Sequence, residues 1–265
     1  MSETNKLKIS IVTPSLNQGE YIEQTIKSVL NQDYNNYEHI IIDGASEDKT
    51  IEILNKYKHL RWISEKDKGQ SNAINKGLYL ATGDIFAWLN SDDYYENNIF
   101  LSVAEYFTIN PDCDFLYGDI TYVDKNSNIL FKISGDSLNY KSLLINPDLI
   151  RQPSFFWRRE AFLKFGGVDE SLNLVMDYDI FLKFTKSKTA GYLNKNLSYY
   201  RTYSDTKTLK FRKKQAIEIY KVLKRNNSEF SIKIYWFLFK RYFGLFPFFS
   251  RIGKLWNLIF NYGKK

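Results

Sequence analysis

Between residues 8 and 93 the chain repeats one pattern four times: a short apolar run ends in a polar cluster, and a stretch with helical apolar spacing usually follows. Lys8 to Thr13 is β-branched and stops at Pro14, Ser15 and Asn17; Tyr21, Ile22, Ile26, Val29 and Leu30 then mark one helical face. Tyr37 to Ile42 reads as a buried strand ending at Asp43, Gly44, Ala45 and Ser46, with Ser46 placed to cap a helix that carries Ile51, Ile53 and Leu54. Leu60 to Ser64, a helix from Gln70 to Leu80, and the strand Ile85 to Leu89 follow, the last stopping at Asn90, Ser91, Asp92 and Asp93. Such alternation predicts an α/β fold: a mostly parallel sheet flanked by helices, with ligands at the carboxyl ends of its strands. From Asp114 to Ser134 the pattern changes to a hairpin turning at Asp124 to Asn128. A helix from Met176 to Lys186 and two strands, Gly191 to Leu193 and Leu197 to Arg201, complete the globular part.

Composition narrows the chemistry. Cys113 is the single cysteine, so neither an internal disulfide nor a cysteine-built zinc site is available. His39 and His59 are the only histidines, so a divalent metal has to rest mainly on oxygen ligands, which favours Mn²⁺ or Mg²⁺. Neither G-x-x-x-x-G-K-S/T nor G-x-G-x-x-G occurs, which removes the P-loop and dinucleotide readings. Met1 to Lys6 lacks the succession of a signal peptide, so the expected localisation is cytoplasmic.

Asp92 and Asp93 are adjacent carboxylates directly after an apolar strand, and they repel unless a cation or protons intervene. A divalent ion shared with phosphate oxygens answers that repulsion; a solvated turn with a helix cap is the other reading. Asp43 ends its strand where a carboxylate can accept hydrogen bonds from a base or ribose, and Gly44 lets the backbone approach a flat ligand. Ser64 to Asn75 is dense in polar groups at a strand-to-helix junction, where free N–H groups suit an anion.

Four ordered blocks, Val12 to Asn17, Ile41 to Thr50, Asp67 to Gly77 and Gly83 to Asp93, together resemble the family 2 inverting glycosyltransferases. The resemblance covers residues 7 to 203 and implies a GT-A (Rossmann-like) fold, a nucleotide-sugar donor and a divalent metal. It places Pro14, Asn17, Asp43 and Ser46 at the nucleoside and Asp67 beside the nucleotide. The family's Asp-x-Asp metal motif has Asn90 in its first position, keeping a possible ribose contact without the charge, and Asp92 in its second as the metal ligand, with Asp93 adjoining. Gly166 to Glu170 followed by Met176 to Asp179 resembles the block that ends in Glu-Asp, with Met176 in place of Glu. That resemblance makes Asp177 the catalytic base, whereas the residue alone also reads as a helix N-terminal Asp. Tyr199 to Tyr203 resembles the block ending in Arg-x-His: Tyr203 replaces the histidine and is expected at the diphosphate or the metal, and Arg201 is expected to neutralise diphosphate. Arg151 to Trp157 matches a block near the acceptor side, with Gln152 a candidate to face the site.

Charge divides the chain. Residues 1–206 carry 22 Lys and Arg against 28 Asp and Glu, while residues 207–265 carry 15 against 2. Residues 230–262 hold thirteen Phe, Tyr or Trp among Lys233, Lys240, Arg241, Arg251 and Lys254, and Pro247 interrupts them. No apolar run approaches the roughly 20 residues that span a bilayer. The expected organisation is a GT-A catalytic domain over 1–206 and a basic, aromatic, amphipathic helical extension over 207–265 that lies on an anionic membrane surface. Packing of these aromatics as ordinary core is the other reading, and no recognition motif supports nucleic acid.

The expected protein is thus a metal-dependent hexosyltransferase at the inner face of the cell membrane. It would move a sugar from a nucleoside diphosphate, UDP favoured, to a hydroxyl of a lipid-linked saccharide in surface polysaccharide assembly. The rivals are a sugar nucleotidyltransferase, which lacks a glycine-rich basic loop here, and a catalytically silent nucleotide-binding subunit tethered to the membrane.

Overall fold

A computed structural model of the protein describes residues 6–135, 138–149, 152–187, 190–203, 211–226 and 232–243. Strand β1 (Ile9–Ser15) is buried along its whole length and pairs in parallel with β2 (Tyr37–Asp43) on one side and β4 (Ile85–Trp88) on the other. A strand covered on both faces has no solvent side to mark with polar residues, which is why these segments read as nearly continuous apolar runs. β3 (Arg61–Ser64) adds to β2, again in parallel. Helices α1 (Ile22–Leu30), α2 (Thr50–Leu54) and α3 (Gln70–Leu80) make the crossovers.

Beyond β4 the pattern changes. β5 (Tyr94–Tyr95) and α4 (Phe100–Ile109) precede β6 (Phe115–Val123) and β7 (Ile129–Ile133), which form the expected hairpin. Short α5 (Tyr140–Ile145), β8 (Phe155–Arg158) and α6 (Arg159–Lys164) lead to α7 (Met176–Ser187) and β9 (Ala190–Arg201). The sheet order is β3-β2-β1-β4-β8-β6-β9-β5, with β7 on β6. β8 runs antiparallel to both β4 and β6, so the mostly parallel expectation holds for β3, β2, β1 and β4, and the whole sheet is mixed. The two strands expected near Gly191 and Leu197 are one strand: β9 follows β6 throughout and absorbs the polar interruption at Asn194 to Asn196 by shifting register around Gly118 and Asp119.

Alternation along the strands sends side chains to two large cores, and Ile41 joins a smaller third one with Ile22 and Ile26 of α1 and Ile53 and Leu54 of α2. Val12, Ile40, Ile42, Phe86, Trp88, Phe155 and Trp157 share one with residues of α3 and α7, and Ile9, Ile11, Ile85, Ala87 and Phe156 share the other with α4. The Trp88 and Trp157 rings stack at 5.0 Å in the first core. Helices α8 (Arg212–Arg225) and α9 (Ile232–Phe243) reach this core too, through Ile219, Val222, Leu223 and Ile234. The expected boundary at Thr206, with Lys210, Pro247, Arg251 and Lys254, lies outside the described residues. The inner face of α8 is nevertheless core, because its apolar positions at helical spacing have the α7 side of the sheet to bury against.

α3 lies so close to β1 that a Cβ on Gly77 would stand 2.3 Å from Val12 Cγ1. Gly77→Ala should therefore lower stability by about 1–3 kcal/mol despite alanine's better helix propensity. Urea denaturation checks this, and an unchanged midpoint would show that the α3–β1 contact yields freely.

Candidate active site

The carboxyl ends of β1 and β4, the turn between β3 and α3, and the end of β9 surround a cleft of about 300 Å³. From the end of β1 and the loop after it come Pro14, Ser15 and Gln18; from the turn into α3, Asp67, Gly69 and Gln70; after β4, Asn90, Asp92 and Asp93; from the end of β9 and just beyond it, Tyr200 and Tyr203. Among the described residues three aspartates line it and no Lys, Arg or His does. A larger cavity of about 660 Å³ lies between α8 and α9, but its lining is aliphatic and aromatic and offers no carboxylate for acid–base or metal chemistry.

Asp93 and Arg201, expected at metal and diphosphate, face inward instead. Asp93 is 1% exposed; its Oδ1 accepts from the Arg201 backbone N–H at 2.9 Å and its Oδ2 from Asn90 Nδ2 at 3.2 Å. Burial, and next the adjoining Asp92 charge, push its carboxyl well above the usual range. The Arg201 guanidinium is 2% exposed and donates to the carbonyls of Asp92, Asp124 and Lys125 and to Gln24 Oε1. With its donors taken up by the protein, it ties the β6–β7 turn and α1 to the floor of the cleft.

Asn90 holds a position that requires an amide. Its Nδ2 donates to Asp93 Oδ2 and to Gln152 Oε1 at 3.1 Å, while its Oδ1 accepts from Gln70 Nε2 at 2.8 Å. A carboxylate there would confront two acceptors, so the neutral residue suits a buried Asp93. Gln152 is buried behind Asn90 and not part of the cleft lining; its Nε2 donates to the Trp88 carbonyl at 2.6 Å.

Asp92 is the carboxylate left toward the cleft, and Tyr203 Oη donates to its Oδ2 at 3.1 Å. Burial, followed by the Asp92 charge, raises the Tyr203 phenol, so it remains a neutral donor near pH 7. Among the described residues no group of three or more His, Cys, Asp or Glu is arranged to hold a metal. The donor set therefore fits an ion held by Asp92 together with phosphate oxygens of a ligand, not an ion enclosed by protein. His39 is buried beside Thr13, with its imidazole held down to about 3 chiefly by burial, and takes no part in such a site.

Asp43 is fully buried, and its carboxylate accepts from the Ser46 N–H and Oγ and from Ser64 Oγ. It shapes the loop rather than meeting the cleft. Ser46 Oγ in turn accepts from the Asn17 N–H at 2.7 Å, and the Oδ1 of Asn17, a residue with φ 53°, accepts from the Glu47 N–H. Asp67 holds the Gly69 N–H at 2.7 Å and sets the bend into α3, whose N-terminus no side chain caps. Ser15 lines the cleft with a buried Oγ that has no hydrogen-bond partner; it lay inside the first sequence block, but nothing in the sequence separated it from its neighbours.

Asp177 stands apart from the cleft lining, on the first turn of α7. It is half-buried, and its Oδ1 accepts from the Tyr178 N–H at 2.8 Å. Burial raises its carboxyl to about 6 against the opposing fields of that N–H and Arg241. A carboxylate poised there is ionised at neutral pH and basic enough to take a proton.

A half-parallel sheet whose order switches beside an acidic cleft defines an α/β protein of the GT-A fold. The chain belongs to glycosyl transferase family 2, whose sequence model matches residues 10–166. It is 31% identical over 185 residues to an uncharacterized glycosyltransferase of Rickettsia bellii, covering 66% of this chain and 27% of that protein. It is 33% identical over 146 residues to the putative teichuronic acid biosynthesis glycosyltransferase TuaG of Bacillus subtilis, covering 52% and 57% of the two chains. Residues 1–349 of Staphylococcus aureus TarS, solved in complex with UDP, superpose with a TM-score of 0.66 at 17% identity, covering 93% of this chain and 73% of that one. The chain thus spans a quarter to somewhat over half the length of these two relatives.

Because folding raises the Asp177 pKa from 3.8 to about 6, the folded state binds this proton more tightly than the unfolded chain. The resulting stabilisation is complete below 3.8 and is lost as pH rises through 6. Asp177→Asn removes the costly charge, so it should be more stable than wild type at about pH 8, by on the order of 2 kcal/mol, and no more stable near pH 4. Denaturant midpoints at the two pH values check this; a pH-independent difference would mean that Asp177 titrates normally.

Proposed function

We propose that the protein is an inverting glycosyltransferase that takes a sugar from a nucleoside diphosphate, UDP favoured, and passes it to a hydroxyl of a lipid-linked saccharide in surface polysaccharide assembly. The observation that carries this reading is the convergence of four separate chain segments on one acidic cleft with no Lys, Arg or His among its described lining residues. An anionic nucleotide in such a cleft needs a counter-charge, which Mn²⁺ or Mg²⁺ held by Asp92 and the diphosphate would supply to the leaving group. Tyr203 orients Asp92, and the uncapped start of α3 offers N–H groups to an anion. Pro14, Ser15 and Asp67 form the wall for the nucleotide, with Asn17, Asp43 and Ser46 holding the loops behind it. Asp177 takes the proton of the acceptor hydroxyl as its oxygen attacks the anomeric carbon. The bond to the diphosphate breaks on the opposite face, and the configuration inverts. The UDP complex of TarS supports UDP as the nucleotide.

A thermal-shift panel of UDP, GDP, CDP and ADP, with and without Mn²⁺, tests the reading, because ligands that bind the native state raise its stability. UDP should stabilise the protein in a metal-dependent way. Asp92→Ala should weaken that shift, whereas Asp177→Asn should keep it and lower transfer by about 10²–10⁴-fold. No shift with any nucleotide in folded protein would leave the silent-subunit reading in its place.

The lipid-linked acceptor and a peripheral position at the inner face of the membrane belong to the same proposal. No described helix is long and apolar enough to cross a membrane. What supports a surface location is the outer side of α8 and α9, where Ile217, Tyr220, Tyr235, Trp236 and Phe239 line the 660 Å³ groove. Lys213 stands over the Tyr242 ring and Lys240 over Trp236, which puts cations at the edge of an aromatic surface. Rings at headgroup depth with basic residues beside them suit anionic lipid, at about 1 kcal/mol per charge near the surface. The full chain should sediment with phosphatidylglycerol vesicles at about 0.1 M salt and release at high salt. Trp236→Ser with Phe239→Ser should weaken retention at least about tenfold, and equal retention would remove the membrane from the proposal.

A further inference from the structure

We propose that Glu218, on α8, is a positioning residue for Asp177: it holds the backbone of the loop that delivers the base. The inference rests on the reading of Asp177 as the base and goes beyond it, because α7, α8 and this loop's C-terminal half lie past the family match at residue 166.

The loop runs from Gly166 to Val175, between α6 and α7. Gly166 and Gly167, at φ 76° and 77°, turn the chain back onto α3. α3 holds one edge of it. Asn75 brackets Val168, donating to its carbonyl at 2.9 Å and accepting from its N–H at 3.0 Å. Ser71 Oγ donates to the Leu172 carbonyl at 2.7 Å, and Asn72 and Asn75 both donate to Glu170. The same helix begins at the donor cleft, so the loop is referenced directly to the nucleotide wall.

The last stretch before α7 is held from the other side. Glu218 Oε2 accepts the N–H groups of Asn173 and Leu174, at 3.1 and 2.9 Å, three and two residues before the helix starts. Glu218 is 4% exposed, yet the docking of α8 is already served by Ile219, Val222 and Leu223. A buried carboxylate is costly unless its oxygens are well satisfied, and a leucine would dock the helix as well. The carboxylate thus has a task that packing does not explain. A helical neighbour acts on the same loop: Arg225, seven residues on, pairs with Asp169. One face of α8 therefore fixes the loop at its beginning and end. Placement of a reacting group to within about 1 Å can decide a factor of 10² in rate.

The test uses the full chain with Glu218→Leu, Glu218→Gln and Asp177→Asn. Donor turnover is followed as UDP released from UDP-N-acetylglucosamine, and backbone hydrogen exchange over residues 169–178 is measured alongside. Glu218→Leu should lower kcat at least tenfold while leaving the donor KM and the UDP thermal shift within twofold. It should also speed exchange at Asn173 and Leu174. Glu218→Gln, whose amide oxygen still accepts, should recover most of kcat. If Glu218→Leu does not fold, Glu218→Asp, shorter by one methylene, carries the same expectation. Unaltered exchange at Asn173 and Leu174, or unaltered kcat beside an inactive Asp177→Asn, overturns the proposal and leaves the base in place. An active Asp177→Asn overturns the base and the proposal together.

Discussion

The end of β4 and the end of β9 are joined by a reciprocal contact: the Asp93 carboxylate takes the backbone N–H of Arg201, and the Arg201 guanidinium takes the backbone carbonyl of Asp92. These residues are more than a hundred positions apart, and both are almost wholly buried. Charged groups in such surroundings stabilise a structure only when every partner is supplied, and here the supply comes from Asn90, Gln24 and the β6–β7 turn. The contact fixes where Asp92 and Tyr203 stand relative to each other. Removing either partner would strand a polar group in the core and open the floor of the cleft.

The remaining architecture serves that junction. Four parallel strands bring their four polar clusters to one edge, as an open α/β sheet does at its switch point. The antiparallel entry of β8 then lets β6 and β9 carry a further cluster to the same edge from much later in the chain. The described lining of the cleft is acidic, and Arg201 at its floor is consumed in holding it together.

Much of this was legible in the sequence, and the rest has a physical reason for being hidden. Period and punctuation revealed β1 to β4 and their helices, because strands buried on both faces and amphipathic helices leave strong patterns. α4 and β8 left weaker ones: Phe100–Ile109 is apolar around most of its surface, and four residues of Phe155–Arg158 carry too few periods to read. At the site, sequence identified which residues would gather but not which way their side chains would turn. Asp92 and Asp93 are adjacent in the chain and opposite in environment, and Arg201 looked like a ligand for phosphate until its five partners accounted for it. Asn90 read as a loss from an acidic motif; in space it is the amide that its neighbours require.

Helix α8 has consequences for anyone trimming the protein. Its outer residues Ile217 and Tyr220 border the aromatic groove, while Ile219, Val222, Leu223 and Glu218 belong to the body of the molecule. Cutting the chain where its charge changes sign would tear out part of the interior along with the sticky exterior, and insolubility of the remnant would say nothing about lipids. A better-behaved version would keep its length and exchange only the outward rings for polar residues, as one repaints a wall without removing it.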